Sequence, residues 1–172
     1  HVSMLDFANK YLLSPLDIEK CECYIADNRE NHISFITLRE SQGRRWLCDT
    51  KENAAAGFGL CLSAMDMAKI GQLCVNNGKY NGKSIVSESW ITQMLMSHSF
   101  TEINSQKMKY GYLWWIIDAE NKIYAAIGDS GNVIYIDAKD EIVVAIASSF
   151  KPSVHDRITF IQHNILPYID AS

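Results

Sequence analysis

Residues 57–90 read GFGLCLSAMDMAKIGQLCVNNGKYNGKSIVSESW, and the order of caps, stops and turns within them decides the architecture. Ser63 stands three residues before Asp66, an Asp form of the capping box in which hydroxyl and carboxylate satisfy orphan N–H groups at a helix start. The spacing predicts a helix from there, with Met67, Ile70, Leu73 and Cys74 on its apolar face and Gly78 as its left-handed stop. Tyr80-Asn81-Gly82-Lys83 follows as a tight turn, because Asn and Gly both tolerate positive φ. Ser87 then caps a second helix whose buried stripe is Trp90, Ile91, Met94 and Leu95.

Toward the N-terminus, Leu5, Ala8, Leu12 and Leu13 recur with helical spacing until Ser14-Pro15, where the restriction on the residue before proline ends the run. The opening HVSMLDFANK has none of the three regions of a signal peptide and reads as the inside of an amphipathic helix. Between Ile18 and Trp46 only ISFITL, residues 33–38, reads as a strand.

Toward the C-terminus the residues become β-branched and aromatic. YGYLWWII at 110–117, KIYAAI at 122–127, NVIYID at 132–137 and EIVVAIASS at 141–149 are predicted strands. The short link Ala138-Lys139-Asp140 makes the last two an antiparallel hairpin, and EIVVAIAS is apolar enough for a central strand. After Pro152 a last helix carries Val154, Ile158, Ile161 and Ile165 on one face. Helices followed by a meander and a closing helix make an α+β arrangement. The chain, 1–172, is read as a single fragment, mostly helical over 1–100, with antiparallel strands and the terminal helix over 108–172.

Composition narrows the function. With 172 residues, 48% hydrophobic and 21% charged, the chain is long enough for one packed core. A net charge of −4, with basic residues scattered apart from Arg44-Arg45, gives no footprint for a phosphate backbone, so nucleic acid is not the expected partner. The apolar runs are of strand length, far below the roughly 20 residues that cross a bilayer. Cys21, Cys23, Cys48, Cys61 and Cys74 form no CxxC pair and sit at no zinc-finger spacing, which points to neither a disulfide framework nor a metal site. Cys21 and Cys23 stand too close to bridge each other easily, although either is able to pair elsewhere. His32, His98, His155 and His163 read as surface or structural, and no cofactor is called for.

The ordered motifs resemble the serine β-lactamases, penicillin-binding DD-peptidases and related esterases, specifically their class C-like branch. They are Gly57-Phe58-Gly59-Leu60, Ser63-Ala64-Met65-Asp66, Ile70-Gly71-Gln72-Leu73, Gly78, Tyr80-Asn81-Gly82-Lys83-Ser84-Ile85-Val86 and Trp90. Tyr110 to Trp115 looks like the family's "YGYGWW", Ile134 to Asp137 like its "YVDP" strand, Glu141 to Ser149 like its "LVVVITS" strand, and Phe7 to Ile18 like its "FAREHLFEPLGI". The resemblance implies the C-terminal portion of a β-lactamase/transpeptidase-like fold, lacking the first strands of the sheet. It therefore implies an exposed sheet edge and a tendency to dimerise through it.

The family's chemistry, acyl transfer through a serine ester, brings three elements to one cleft. A Ser-x-x-Lys at a helix start places nucleophile and amine one turn apart. A Tyr-x-Asn or Ser-x-Asn relays a second proton, and a Lys/His-x-Gly on a strand edge supplies a cation and an oxyanion-hole N–H. Matching the family's order places the first two elements before Phe7, so no catalytic residue is expected in this chain, which alone should be inactive. Ser148-Ser149-Phe150-Lys151 has the right letters at the end of a strand, where alternation aims the side chains apart, and is read as coincidence.

The third element is expected in Ile127-Gly128-Asp129-Ser130-Gly131-Asn132, with Asp129, Ser130, Gly131 and Asn132 as its candidates. Asp129 then takes the place of the family's Lys or His, which reverses the charge offered to an anionic substrate group. Gly131 and the Asn132 N–H are suited to one side of an oxyanion hole, and the bland reading of the same residues is a hairpin turn. Tyr112 and Trp114 are candidate pocket-lining residues. The resemblance implies a small-molecule or peptidoglycan-like ester or amide as substrate of the full-length protein, and favours the bacterial envelope. A module that binds such ligands without catalysis is the alternative, motivated by Asp129.

Overall fold

The computed structural model describes residues 2–37, 43–103, 106–128, 131–148 and 156–169. The chain opens with α1 (Met4–Ala8), whose cap is Ser3, and continues through a π-helical turn (Asn9–Leu13) and a 3₁₀ turn (Ser14–Leu16). Then come β1 (Glu22–Ile25), α2 (Arg29–Thr37), β2 (Arg45–Cys48), α3 (Ala64–Val75), the two-residue strands β3 (Lys79–Tyr80) and β4 (Lys83–Ser84), and α4 (Glu88–Leu95). A meander follows: β5 (Ser99–Ile103), β6 (Gln106–Tyr110), β7 (Trp115–Asp118), β8 (Ile123–Ile127), β9 (Val133–Asp137) and β10 (Ile142–Ile146). The helices α5 (Arg157–Asn164) and α6 (Leu166–Ile169) complete the described chain.

The capped stretch forms as its residues dictate. Ser63 Oγ accepts from the Asp66 N–H while the Asp66 carboxylate accepts from the Ser63 N–H, so both halves of the capping box close. Gly78 ends the helix at φ +83°, and a Cβ there would sit 2.0 Å from the Val86 carbonyl oxygen. Asn81 and Gly82, with φ of 48° and 75°, turn β3 into β4. Ser87 caps α4 through the Trp90 N–H.

The sheet has the order β10-β9-β8-β7-β6-β5, antiparallel throughout. β9 shows why it lies between two layers. Ile134 and Ile136 join Cys74, Val75, Ile91 and Trp114 on the face covered by α3 and α4, and Val133 and Tyr135 join Ala125 and Ile161 on the face covered by α5. Gly71 lets α3 approach closely, since a Cβ there would meet Val143 Cγ1 at 2.5 Å. A second cluster of Leu13, Leu16, Ile18, Cys21 and Leu73 fastens the N-terminal segment to the other side of α3. The result is helices on both faces of an antiparallel sheet, the α+β class expected.

Four sequence expectations are corrected. The stretch 33–38, expected as a strand, is helical through Thr37, with Leu38 outside the described residues. Asn28 starts that helix by accepting the Asn31 N–H on Oδ1 at 2.8 Å, and this cap outweighs the β-branched run. YGYLWWII is not one strand. β6 ends at Tyr110, the chain reverses at Tyr112-Leu113 with Leu113 at φ 66°, and β7 begins at Trp115. Gly111 permits the reversal against α4, because a Cβ there would lie 2.3 Å from the Met94 carbonyl oxygen. β10 is the outer strand of the sheet rather than a central one. It is apolar because α3 covers one face and the α5 layer the other. Trp90, placed in the buried stripe of α4, is 52% exposed, and Ile91 is the residue that stripe buries.

Candidate functional site

The candidate third element is the connection between β8 and β9. Asp129 and Ser130 lie outside the described residues, as do Ser149-Phe150-Lys151, Val154 and His155. What is described is a closed turn: the Gly128 N–H donates to the Asn132 carbonyl and the Gly131 N–H donates back to the Gly128 carbonyl, each at 2.9 Å. Gly131 is buried at φ +85°, a conformation that favours glycine, and Ile127 pairs with Val133 at the neck. The Gly131 N–H is thus engaged within the turn itself.

Asn132 ties this turn to the rest of the sheet. Its Oδ1 accepts the Ser148 N–H at 2.8 Å, just beyond the end of β10, and Ser148 Oγ accepts from Arg157 Nη2 at 3.3 Å. The ends of β8, β9 and β10 and the first residue of α5 therefore meet at one margin of the sheet. Arg157 Nε is buried there with no hydrogen-bond partner among the described residues. Ser148 is a structural link in this arrangement. Sequence reading missed both the Asn132 bridge and Arg157. The usable signal was an Asn leaving a turn and an Arg opening the helix after Pro152.

Tyr112 and Trp114 part company. Trp114 is packed in the core with Ile134 and Ile136, whereas Tyr112 is at the surface, with the His98 ring stacked on it at 4.0 Å and the Trp90 ring at 5.7 Å. An open cavity of about 380 Å³ is lined by His32, Leu47, Cys48, Asp49, Asn53 and Phe58 among others. A second, of about 440 Å³, is lined by Asp6, Asn9, Lys10, Ser14, Ile18 and Lys20. Neither is lined by Tyr112, Trp114 or the β8–β9 connection.

An ion pair joins the residue before β2 to the first turn of α3. Arg44 donates from Nε to Asp66 Oδ2 at 2.8 Å and from Nη2 to Oδ1 at 3.3 Å, and also pairs with the exposed Glu19. Burial pushes the Asp66 pKa up, but hydrogen bonds from Arg44 and Ser63 outweigh it and hold the carboxyl below its ordinary value. The same carboxylate completes the helix cap, which is a structural duty. Among the described residues no group of His, Cys, Asp or Glu is arranged to hold a metal ion, and no helix is long and apolar enough to cross a membrane.

No family model matches the chain. A 6-aminohexanoate-dimer hydrolase of Paenarthrobacter ureafaciens is 23% identical over 111 residues, which cover 59% of this chain and 28% of that protein. The solved structure of a Bacillus anthracis protein, provisionally named a 6-aminohexanoate-dimer hydrolase, superimposes with a TM-score of 0.57 at 30% identity. That match covers 73% of this chain and 32% of the other. These relatives are proteins of the serine β-lactamase and transpeptidase superfamily, and the chain shares their fold. A family VIII carboxylesterase is also similar, at 19% identity and a TM-score of 0.47 over 56% of this chain and 29% of the esterase. The chain spans about a third of the length of the relatives it matches.

Proposed function

We propose that this chain forms the C-terminal part of a serine hydrolase that cleaves an ester or amide through an acyl-enzyme. In this reading the β8–β9 connection is one wall of the cleft, with Asp129, Ser130, Gly131 and Asn132 at its rim. Closed by its own hydrogen bonds and braced through Asn132 to Ser148, this rim is a fixed edge of the kind that electrostatic stabilisation of a developing oxyanion requires. The nucleophilic serine and its lysine come from sequence preceding Phe7, and the chain alone is inactive. The observation that carries the reading is the 30% identical match to the Bacillus anthracis protein, which takes in 73% of this chain. Both 6-aminohexanoate-dimer hydrolase relatives favour a linear amide as substrate over a β-lactam. Asp129 supports the same preference, since it places no cation at the rim.

The test is active-site labelling with a fluorophosphonate probe. The chain alone should take no label, and the protein extended at its N-terminus should be labelled on a Ser-x-x-Lys serine and hydrolyse short amide oligomers or p-nitrophenyl esters. An adduct on Ser148 of the chain alone would overturn the assignment of the nucleophile. An extended protein that takes no label, yet binds such amides, would establish the non-catalytic binding module that Asp129 motivates.

A further inference from the structure

β1 and β2 pair in parallel, with Cys23 opposite Trp46 and Ile25 opposite Cys48. Residues two apart on a strand share a face, so Cys23 and Cys48 lie on one face of this small sheet as diagonal neighbours. Cys23 is half-buried and Cys48 buried, and both are free thiols. Cys48 Sγ reaches the Trp46 carbonyl at 3.3 Å. β2 is held on its other side by antiparallel bonds, Leu47 N–H to the Gly59 carbonyl at 2.9 Å and Cys61 N–H to the Arg45 carbonyl at 2.8 Å. Among the described residues β1 pairs with β2 alone, and so is the strand able to move.

We propose that Cys23 and Cys48 are a redox-sensitive pair that closes to a reversible intrachain disulfide, stapling β1 to β2. The oxidant is a small-molecule disulfide of the glutathione type. The Cys23 thiolate attacks one of its sulfurs and expels one thiolate. Cys48 then attacks the Cys23 sulfur of the mixed disulfide and expels the second. Two protein thiols lose two protons and two electrons, and one small disulfide becomes two thiols. A diagonal pair stands about 7–8 Å apart, just beyond the span a disulfide bridges without backbone movement, so closure must draw β1 along β2. A bond made against that displacement is readily reduced, which suits a switch rather than a permanent staple.

Burial, then the Cys48 thiol, then the nearby Glu52 and Asp49 carboxylates push the Cys23 thiol up to about 12, so at neutral pH Cys23 rests as a thiol. The bridge would close the loop that carries α2. Ala26 and His32 of that loop line the 380 Å³ cavity together with Cys48. Oxidation therefore ties the loop that contributes Ala26 and His32 to the strand that contributes Cys48 to the cavity lining. The inference is independent of the hydrolase reading.

The full chain, reduced and then equilibrated in glutathione buffers of rising oxidised fraction, is trapped with iodoacetamide and digested with trypsin. Cleavage isolates Cys48 in residues 46–51 and Cys21 with Cys23 in residues 21–29. The expected product is these two peptides joined with the loss of two hydrogens, cleaved by dithiothreitol, and accompanied by a rise of several degrees in the unfolding midpoint. C21S should retain the cross-link and C23S should lose it. The proposal falls if the wild-type chain is joined through Cys21, if glutathione stays on Cys23 with Cys48 alkylated, or if both thiols remain free in the most oxidising buffer. Each of these results is read from the wild-type chain and does not depend on a variant folding.

Discussion

Replacing Gly71 by alanine tests how tightly α3 is seated on the sheet. On helix propensity alone, Gly→Ala inside a helix stabilises by about 1 kcal/mol. Here the new methyl would stand 2.5 Å from Val143 Cγ1, 3.0 Å from Ile134 Cγ2 and 3.3 Å from Ile136 Cγ2. Carbon atoms pack best at about 3.5–4.0 Å, so α3 or β10 must move by about 1 Å. Ile134 and Ile136 are buried in β9, and relief through them is closed. Overpacking of this kind costs about 1–3 kcal/mol, and the 2.5 Å contact argues for the upper end. G71A should therefore destabilise by about 2 kcal/mol net, lowering the thermal midpoint by about 4–8 °C for a chain of this size. Urea unfolding followed by circular dichroism measures it, and V143A provides the control because it removes the closest methyl. G71A/V143A should be less destabilised than the sum of the single variants by at least about 1 kcal/mol. An unchanged or raised stability in G71A, or strict additivity, would refute the close seating of α3.

Asp66→Asn removes the charge that Arg44 grips and should cost about 2 kcal/mol at pH 7, seen as a lower urea midpoint. Because the folded carboxyl is held below its unfolded value, its stabilisation is full above about pH 4 and is lost as pH falls through the folded pKa. The gap between wild type and D66N should therefore narrow at pH 3. Gly78→Ala combines a φ of +83° with a Cβ 2.0 Å from the Val86 carbonyl oxygen and should lower stability by more than about 2 kcal/mol. β10 carries Ile142-Val143-Val144-Ala145-Ile146, without charge or proline, and its outer edge is unpaired among the described residues. Self-association of the chain through that edge should appear in analytical ultracentrifugation at micromolar concentration, and Ala145→Pro should weaken it.

Much of the helical part was legible because its signals are local. A cap needs one side chain within three residues, a left-handed stop needs one glycine, and an Asn-Gly turn needs two adjacent residues, so Ser63, Gly78, Asn81-Gly82 and Ser87 each act where they stand. The same locality made Asn28 readable in principle, and the β-branched run after it obscured the cap. The candidate site was legible only as a run of turn residues. That Asn132 would hold Ser148, and that Arg157 would reach Ser148, depends on residues 16 and 9 positions apart meeting at one sheet margin.

By itself the sequence determined the α+β class, the capped helices, the Asn-Gly hairpin turn and the likeness to the serine β-lactamase and transpeptidase superfamily, because each rests on short-range spacing or on an ordered set of motifs. The tertiary structure alone decided that β10 is an edge and β9 the strand buried on both faces. An apolar strand looks the same in sequence whether neighbouring strands or packed helices exclude its water. It also decided that Trp114 is core and Trp90 exposed, and that Cys23 and Cys48 share a face. These depend on strand order, register and helix placement, which no stretch of a few residues carries.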